Sequence, residues 1–463
     1  MPVNPVRLDV DLAARAGTIK PLHGVNLGPL SCAGSTDNSN LFKEMAFPCA
    51  RLHDCPDAVP ETVDVHSIFP LFHLDENDPG NYRFGITDDY IQSIIDTGCG
   101  IVYRLGESLE HFTRRKHFVH PPEDFDKWAA ICVNIIRHYN EGWADGFGHG
   151  IRYWEIWNEP WTAPLNWTGS DQDYYRLYEV AAKAIKAHDP ELMVGGPTAL
   201  GSAAPNKFET GFLEHCRATD TPLDFYSWHL YTREPVCITD RAKLVRELLG
   251  RYGYEQAESH LNEWNYLPPG GFPSYDVKQN HPELVRSGFE EVIGMPGAAF
   301  DAAVLIYMQD CQIDVANYYW LYGGWASGLV DLYGVRLKTY YAFKAFRALL
   351  NTPHRVRTTA TDPHTGYALL AGVADEPRAE ILLANCRGRE SDFVVAPVNW
   401  PWSGGALCRR YLLDHDRDLA PVGQSVLDEN NPAVNLCVPA PAVCRLTLEP
   451  ADDVRGGRKG GDR

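Results

Sequence analysis

Apolar and polar positions follow three different rhythms along this 463-residue chain. Near the amino end Val6, Leu8, Val10 and Leu12 alternate with Arg7, Asp9 and Asp11, the period of two expected of a strand with one wet face. From residue 19 onward, short apolar runs alternate with longer segments of helical period. Eight such runs fall at residues 19–26, 47–53, 100–105, 151–157, 192–196, 223–229, 258–262 and 314–321. Between them, residues 171–188 carry Tyr174, Leu177, Tyr178, Ala181, Ala182 and Ile185 at helical spacing, with Asp171 suited to a first turn. Residues 125–139, 239–249 and 281–299 read the same way. Eight strands alternating with helices predict a closed (β/α)8 TIM barrel over residues 14–347, with its chemistry on the loops that follow the strands.

After Leu350 the helical period disappears. Strand-like runs at residues 367–373, 380–385, 392–395, 406–413 and 442–448 are separated by Pro, Gly and Asp turns, which predicts a C-terminal β-sandwich over residues 348–450. The strand in residues 1–13 is expected to return and complete one of its sheets. Residues 451–463 hold little to bury and read as a flexible tail.

Composition narrows the partners. A formal net charge of −19 argues against nucleic acid, whose phosphates need basic grooves, and a neutral ligand fits best. The twelve cysteines are scattered, with no CxxC pair and no His/Cys cluster at zinc spacing; reduced, buried thiols and no structural metal are expected. The amino terminus lacks the apolar core of a signal peptide, and no run of about 18 apolar residues appears anywhere. The expectation is a cytoplasmic protein with no membrane span, no cofactor and the possibility of a homo-oligomer. On that expectation the sequon at Asn166-Trp167-Thr168 carries no meaning.

The candidate chemistry sits on the fourth and seventh runs. In IRYWEIWNEPW, residues 151–161, an aromatic-rich strand is stopped by Asn158-Glu159-Pro160, which leaves the Glu159 carboxyl at the carboxyl edge of the barrel. Walled by Trp157 and Trp161, that carboxyl should lose hydration and rise in pKa towards the range of a general acid. A second Glu follows an Asn at Leu261-Asn262-Glu263-Trp264. Strands four and seven bring Glu159 and Glu263 to one rim, and paired carboxylates are what cleavage of a glycosidic bond requires.

The WEIWNEP and HLNEWN motifs resemble those of the retaining barrel glycosidases, and the best match within that clan is glycoside hydrolase family 39, whose β-xylosidases and α-L-iduronidases join a (β/α)8 barrel to a β-sandwich. That resemblance implies Glu159 as acid/base, Glu263 as nucleophile, and Asn158 as a hydrogen-bond partner of the sugar 2-hydroxyl. It further implies Arg51 and His53 of ARLHD as a polar floor near the nucleophile. His229 or Tyr231 of WHLY would hold Glu263 ionised, and Trp320 would lie under the bound sugar. Family xylosidases usually carry Thr before the nucleophile and an ELSFMP-like stretch on strand three, where this chain has Asn262 and VYRLGES.

The implied activity is double displacement on O-glycosidic bonds of neutral oligosaccharides or glycosides. A β-xylosidase is the first expectation, with α-L-arabinosidase, β-glucosidase or endo-acting specificities as alternatives on the same site. Two readings of another class are a metal-dependent barrel hydrolase using His53, His229 and His260, and an inactive sugar-binding protein. Arg104 and Glu107 either contact substrate or pair with each other. Trp157, Trp161, Trp167, Trp264 and Trp325 either wall the rim or stack on sugar, and His23 and Asp54 are further polar candidates.

Overall fold

The structure is a computed structural model, and it describes residues 5–31, 35–55, 61–112, 114–271, 280–322, 327–428 and 430–451. Eight parallel strands, Gly24–Asn26, Cys49–Leu52, Gly100–Leu105, Tyr153–Ile156, Met193–Leu200, Phe225–Thr232, Glu258–Tyr266 and Val315–Tyr318, each pair with the next. The eighth pairs back onto the first through Asn317 opposite Gly24, which closes the barrel. All eight lie within or overlap the predicted runs.

The helices form where caps and periodicity agree. Helix Asp171–His188 starts at a capping box, in which the Ser170 hydroxyl and the Asp173 side chain each satisfy the other's backbone N–H. Helix Phe125–Glu141 is capped by Asp124 and ends at Gly142 with φ 75°, a left-handed residue that only glycine adopts without strain. The single helix expected at residues 281–299 is two, Pro282–Ile293 and Met295–Tyr307. Gly294 is extended between them, and Pro296 cannot donate to a continuing ladder.

Helix Met295–Tyr307 has no polar face because it has no wet one. It is buried nearly throughout, wedged between helix Lys338–Leu349 and the strands of the C-terminal sheet. Among the described residues no single helix is long and apolar enough to cross a membrane.

The C-terminal unit is a nine-stranded sheet, with Val6–Thr18 inserted between His354–Thr358 and Asp392–Val398. That strand pairs antiparallel to the first and parallel to the second, Leu8 lying opposite Val395. The sandwich is this one sheet folded over on itself. Tyr367 and Phe393 stand on strands separated by two others, yet their ring centroids are 5.3 Å apart.

Both faces of the middle strands are covered. Along Tyr367–Val373, Leu369, Ala371 and Val373 enter the sheet's own core, whereas Ala368 and Leu370 join the core of the barrel helices. That is why the run reads as continuously apolar.

Two boundaries differ from those expected. The amino-terminal strand continues to Thr18, because register shifts near Arg15 keep it paired with His354–Thr358, so residues 14–18 belong to the sheet and not to the barrel. The last barrel helix runs to Leu349, two residues beyond the expected limit of 347. Residues 452–463, nearly all of the expected tail, lie outside the described residues.

Candidate active site

Arg51, inside the second barrel strand, organises the site floor. Its Nε donates to Glu155 Oε2 at 2.6 Å and its Nη1 to Glu263 Oε1 at 2.7 Å. Nη2 donates to Asn158 Oδ1 at 2.8 Å, and Nη1 also lies 3.3 Å from Asn26 Oδ1. The guanidinium is wholly buried, and the planar fork lets one cation fix two carboxylates and an amide. Burial opposes its charge, but Glu155 and Glu263 more than offset that. Glu155 also accepts from the Asn262 amide.

Glu263 is turned into this network by a bulge. The register of strand Glu258–Tyr266 shifts between Leu261 and Glu263, so Asn262 and Glu263 in succession reach partners inside the barrel. The phenol of Tyr231 donates to Glu263 Oε2 at 2.7 Å. Burial raises the Glu263 carboxyl above its ordinary range, with Glu159 adding to the rise, while His229, Arg51 and Tyr231 pull it down.

Glu159 is presented by a strained turn. Trp157 and Glu159 adopt φ 68° and 40°, left-handed values that non-glycine residues rarely hold. The Glu159 N–H donates to Thr198 Oγ1 at 2.5 Å, and the Trp161 indole donates to the Thr198 carbonyl at 2.8 Å. On its side chain, Oε1 lies 2.7 Å from His229 Nδ1, which is also 3.3 Å from Glu263 Oε2. One oxygen of each carboxylate and the His229 nitrogen all lie within 4.8 Å of one another. Burial pushes the Glu159 carboxyl up to about 8, with Arg51 opposing and Asp54 adding to the rise. Burial likewise takes His229 down to about 4, so the imidazole is neutral at neutral pH.

His53 joins through Asn158. Arg51 occupies the Asn158 carbonyl oxygen, so the amide nitrogen faces His53 Nε2 at 2.9 Å and that nitrogen must accept. Burial, with the charges of Arg104 and Arg51, holds His53 well below its usual range and neutral.

The structure therefore brings together Arg51, His53, Asn158, Glu159, His229, Tyr231 and Glu263. Trp320 stands half-buried at the mouth beyond the eighth strand, its ring 4.8 Å from that of Tyr319. Asp54 lies beside the site, accepting from the Tyr319 phenol at 3.1 Å.

Several expectations are corrected. Trp157 does not wall Glu159: it is buried against Trp128 and Trp167 with its indole bonded to the Asn166 carbonyl, because the left-handed turn swings it off the mouth. Trp264 packs in the core against Tyr318 and Phe343. Trp325 lies outside the described residues. His23 is buried against Phe47 and Phe346, away from the site. His260 pairs with Glu258 and stacks on Phe225 near the start of its strand, so the proposed trio of histidines does not gather. Arg104 and Glu107 do not pair with each other: Arg104 bonds Asp64, and Glu107 bonds His66.

Sequence reasoning missed Glu155, Thr198 and Tyr319. Glu155 shares its aromatic-rich run with a second charge, Arg152, and the run does not announce which of the two turns inward. Thr198 gave no signal, because its part depends on the turn that follows Pro197.

The family model described as Glycosyl hydrolases family 39 matches residues 69–259, which includes Glu159 and stops short of Glu263. A β-xylosidase of Geobacillus stearothermophilus is 29% identical over 255 residues, covering 50% of this chain and 48% of that protein, so the chain spans about half the length of this curated relative. The structure of a glucosidase from Croceicoccus marinus superposes with a TM-score of 0.80 at 23% identity, over 96% of this chain and 99% of that one. A monomeric β-xylosidase from Caulobacter crescentus does so with a TM-score of 0.71 at 17% identity, over 96% and 100%. At those identities the two structures establish the fold, a barrel joined to a C-terminal sheet. The match over residues 69–259, together with the WEIWNEP and HLNEWN motifs on strands four and seven, makes glycoside hydrolase family 39 the family this chain is similar to.

Proposed function

We propose that the protein is a retaining glycosidase acting on neutral β-linked glycosides, with a β-xyloside as the first substrate to test. The observation that carries this reading is the approach of Glu159 and Glu263 to within 4.8 Å across one mouth. Retaining enzymes hold their carboxyls about 5–5.5 Å apart and inverting ones about 6.5–9.5 Å apart, so the spacing favours direct attack over an intervening water. The relative named a β-xylosidase supports the choice of sugar.

In the first step Glu263 attacks the anomeric carbon while the bond to the leaving oxygen breaks and Glu159 gives that oxygen its proton. A glycosyl ester on Glu263 results. In the second, water attacks the same carbon, passes a proton to Glu159, and releases the Glu263 carboxylate. Arg51 and Tyr231 stabilise that carboxylate as it departs, and Asn158, anchored by Arg51 and His53, faces the sugar 2-hydroxyl.

The pH dependence follows in sign. Glu159 works protonated, so kcat/KM for a substrate with a poor leaving group should fall about tenfold per pH unit above about 8. The acid limb reports Glu263 taking up a proton, and it should lie above the ordinary glutamate range. Glu159→Gln should abolish the alkaline limb, which a pH profile on wild type and variant checks.

The reading is tested with aryl glycosides of several sugars on wild type and Glu159→Ala. The variant should form the glycosyl ester but release it about 10²–10⁴-fold more slowly, and azide should restore turnover with the starting anomeric configuration retained. Unchanged turnover without azide would move the acid/base elsewhere.

A further inference from the structure

We propose that the loops after barrel strands three and four form a leaving-group subsite for an aromatic aglycone, with Phe112, Phe118 and Leu165 as its contact surface. The proposal rests on the glycosidase reading above and specifies the substrate that site takes. These side chains are 58%, 37% and 43% exposed, although each is apolar. They lie along one hydrogen-bonded seam, since the Glu110 N–H donates to the Leu165 carbonyl at 3.1 Å and the Thr168 N–H to the Val119 carbonyl at 3.0 Å. Exposed apolar side chains gathered around one seam mark a contact site more often than scattered ones do.

The cluster is held rigid. Glu110, nearly buried, accepts the backbone N–H groups of His117, Phe118 and Val119, which locks the loop carrying Phe118. The Phe118 ring is backed by His66, stacked at 3.7 Å and 11°, and His66 is fixed by its hydrogen bond to buried Glu107. Phe112 meets the edge of His117 at 5.3 Å. Pre-positioned rings bind flat ligands with little loss of side-chain freedom.

Its place in the mouth selects the leaving group. Leu165 donates its N–H to the Thr162 carbonyl, and Thr162 in turn donates to the Glu159 carbonyl, so the seam runs directly off the residue that protonates the departing oxygen. Glu263 belongs to strand seven, and Trp320 lies just beyond strand eight. Phe112, Phe118 and Leu165 offer no donor or acceptor to a second sugar's hydroxyls, whereas a planar aromatic group needs none.

The test uses the full chain, with 2-naphthyl β-xyloside against xylobiose, or the corresponding pair for whichever sugar the aryl panel selects. The ratio of kcat/KM for the naphthyl glycoside to that for the disaccharide should fall about fivefold to twentyfold in Phe118→Ser and in Phe112→Ser, mainly through KM. Leu332→Ser, an exposed apolar residue on the loop after strand eight, should leave the ratio unchanged. An unchanged ratio in both Phe variants, or a ratio that rises because the disaccharide suffers more, overturns the proposal. If the wild type cleaves neither substrate and no 2-fluoro glycoside labels Glu263, the glycosidase reading itself fails, an outcome distinct from an unchanged ratio.

Discussion

Glu263→Ala should lower kcat/KM for every substrate by at least about 10⁴-fold, the scale seen when a covalent nucleophile is removed. The loss cannot be shared by neighbours. Among the described side chains at the mouth, Glu155 is wholly buried beneath Arg51 and Asn262, and Glu159 is needed with its proton. Stability should change far less, because Arg51 keeps Glu155 and Asn158 as partners. Azide entering the vacated space attacks the anomeric carbon once, so the glycosyl azide should have the inverted configuration. The Glu159→Ala variant should give the retained one after two displacements. Product anomers read by NMR thus separate the two roles without reference to rate.

The second large effect is on stability and activity together. Arg51→Met leaves the wholly buried Glu155 with only the Asn262 amide, and breaking a buried pair from one side costs about 3–5 kcal/mol. Denaturant unfolding should show a lower midpoint, and the double variant Arg51→Met with Glu155→Gln should recover part of it. Activity should not return with stability. Arg51 lowers both Glu263 and Glu159, so its loss raises both carboxyls. The acid limb of kcat/KM should move up in pH as the nucleophile is held protonated over a wider range.

Much of the fold could be read from hydrophobic rhythm. The eight barrel strands are local apolar runs between helices, and a closed barrel makes their carboxyl ends one surface. Strands His354–Thr358, Ala420–Leu427 and Val434–Cys437 were not legible. The second of these is a largely exposed edge containing Pro421 and Gly423, with no apolar alternation to mark it. The pairing of Val6–Thr18 across more than three hundred residues was expected only because its alternation had no place in the barrel.

The site divides the same way. Glu159 and Glu263 stand out because each follows Asn just past an apolar run in the sequence, although Glu263 lies inside the strand Glu258–Tyr266, and family resemblance supplied Arg51, His53, Asn158, His229 and Tyr231. The role of Thr198 and the burial of Trp157 depend on left-handed turns at residues 157, 159 and 198, which no residue type there announces. Glu155 was hidden by an apolar run whose inward face carries a charge matched to Arg51 on a neighbouring part of the barrel wall.

The most direct measurement is covalent trapping. The wild-type protein would be incubated with an activated 2-deoxy-2-fluoro β-glycoside of the sugar chosen by the aryl panel, then digested and sequenced by mass spectrometry. Stoichiometric addition of one fluoroglycosyl group on Glu263, released on adding an acceptor alcohol, is the result this account predicts. A stable adduct on another residue, or brisk turnover that yields product of inverted configuration, would contradict it.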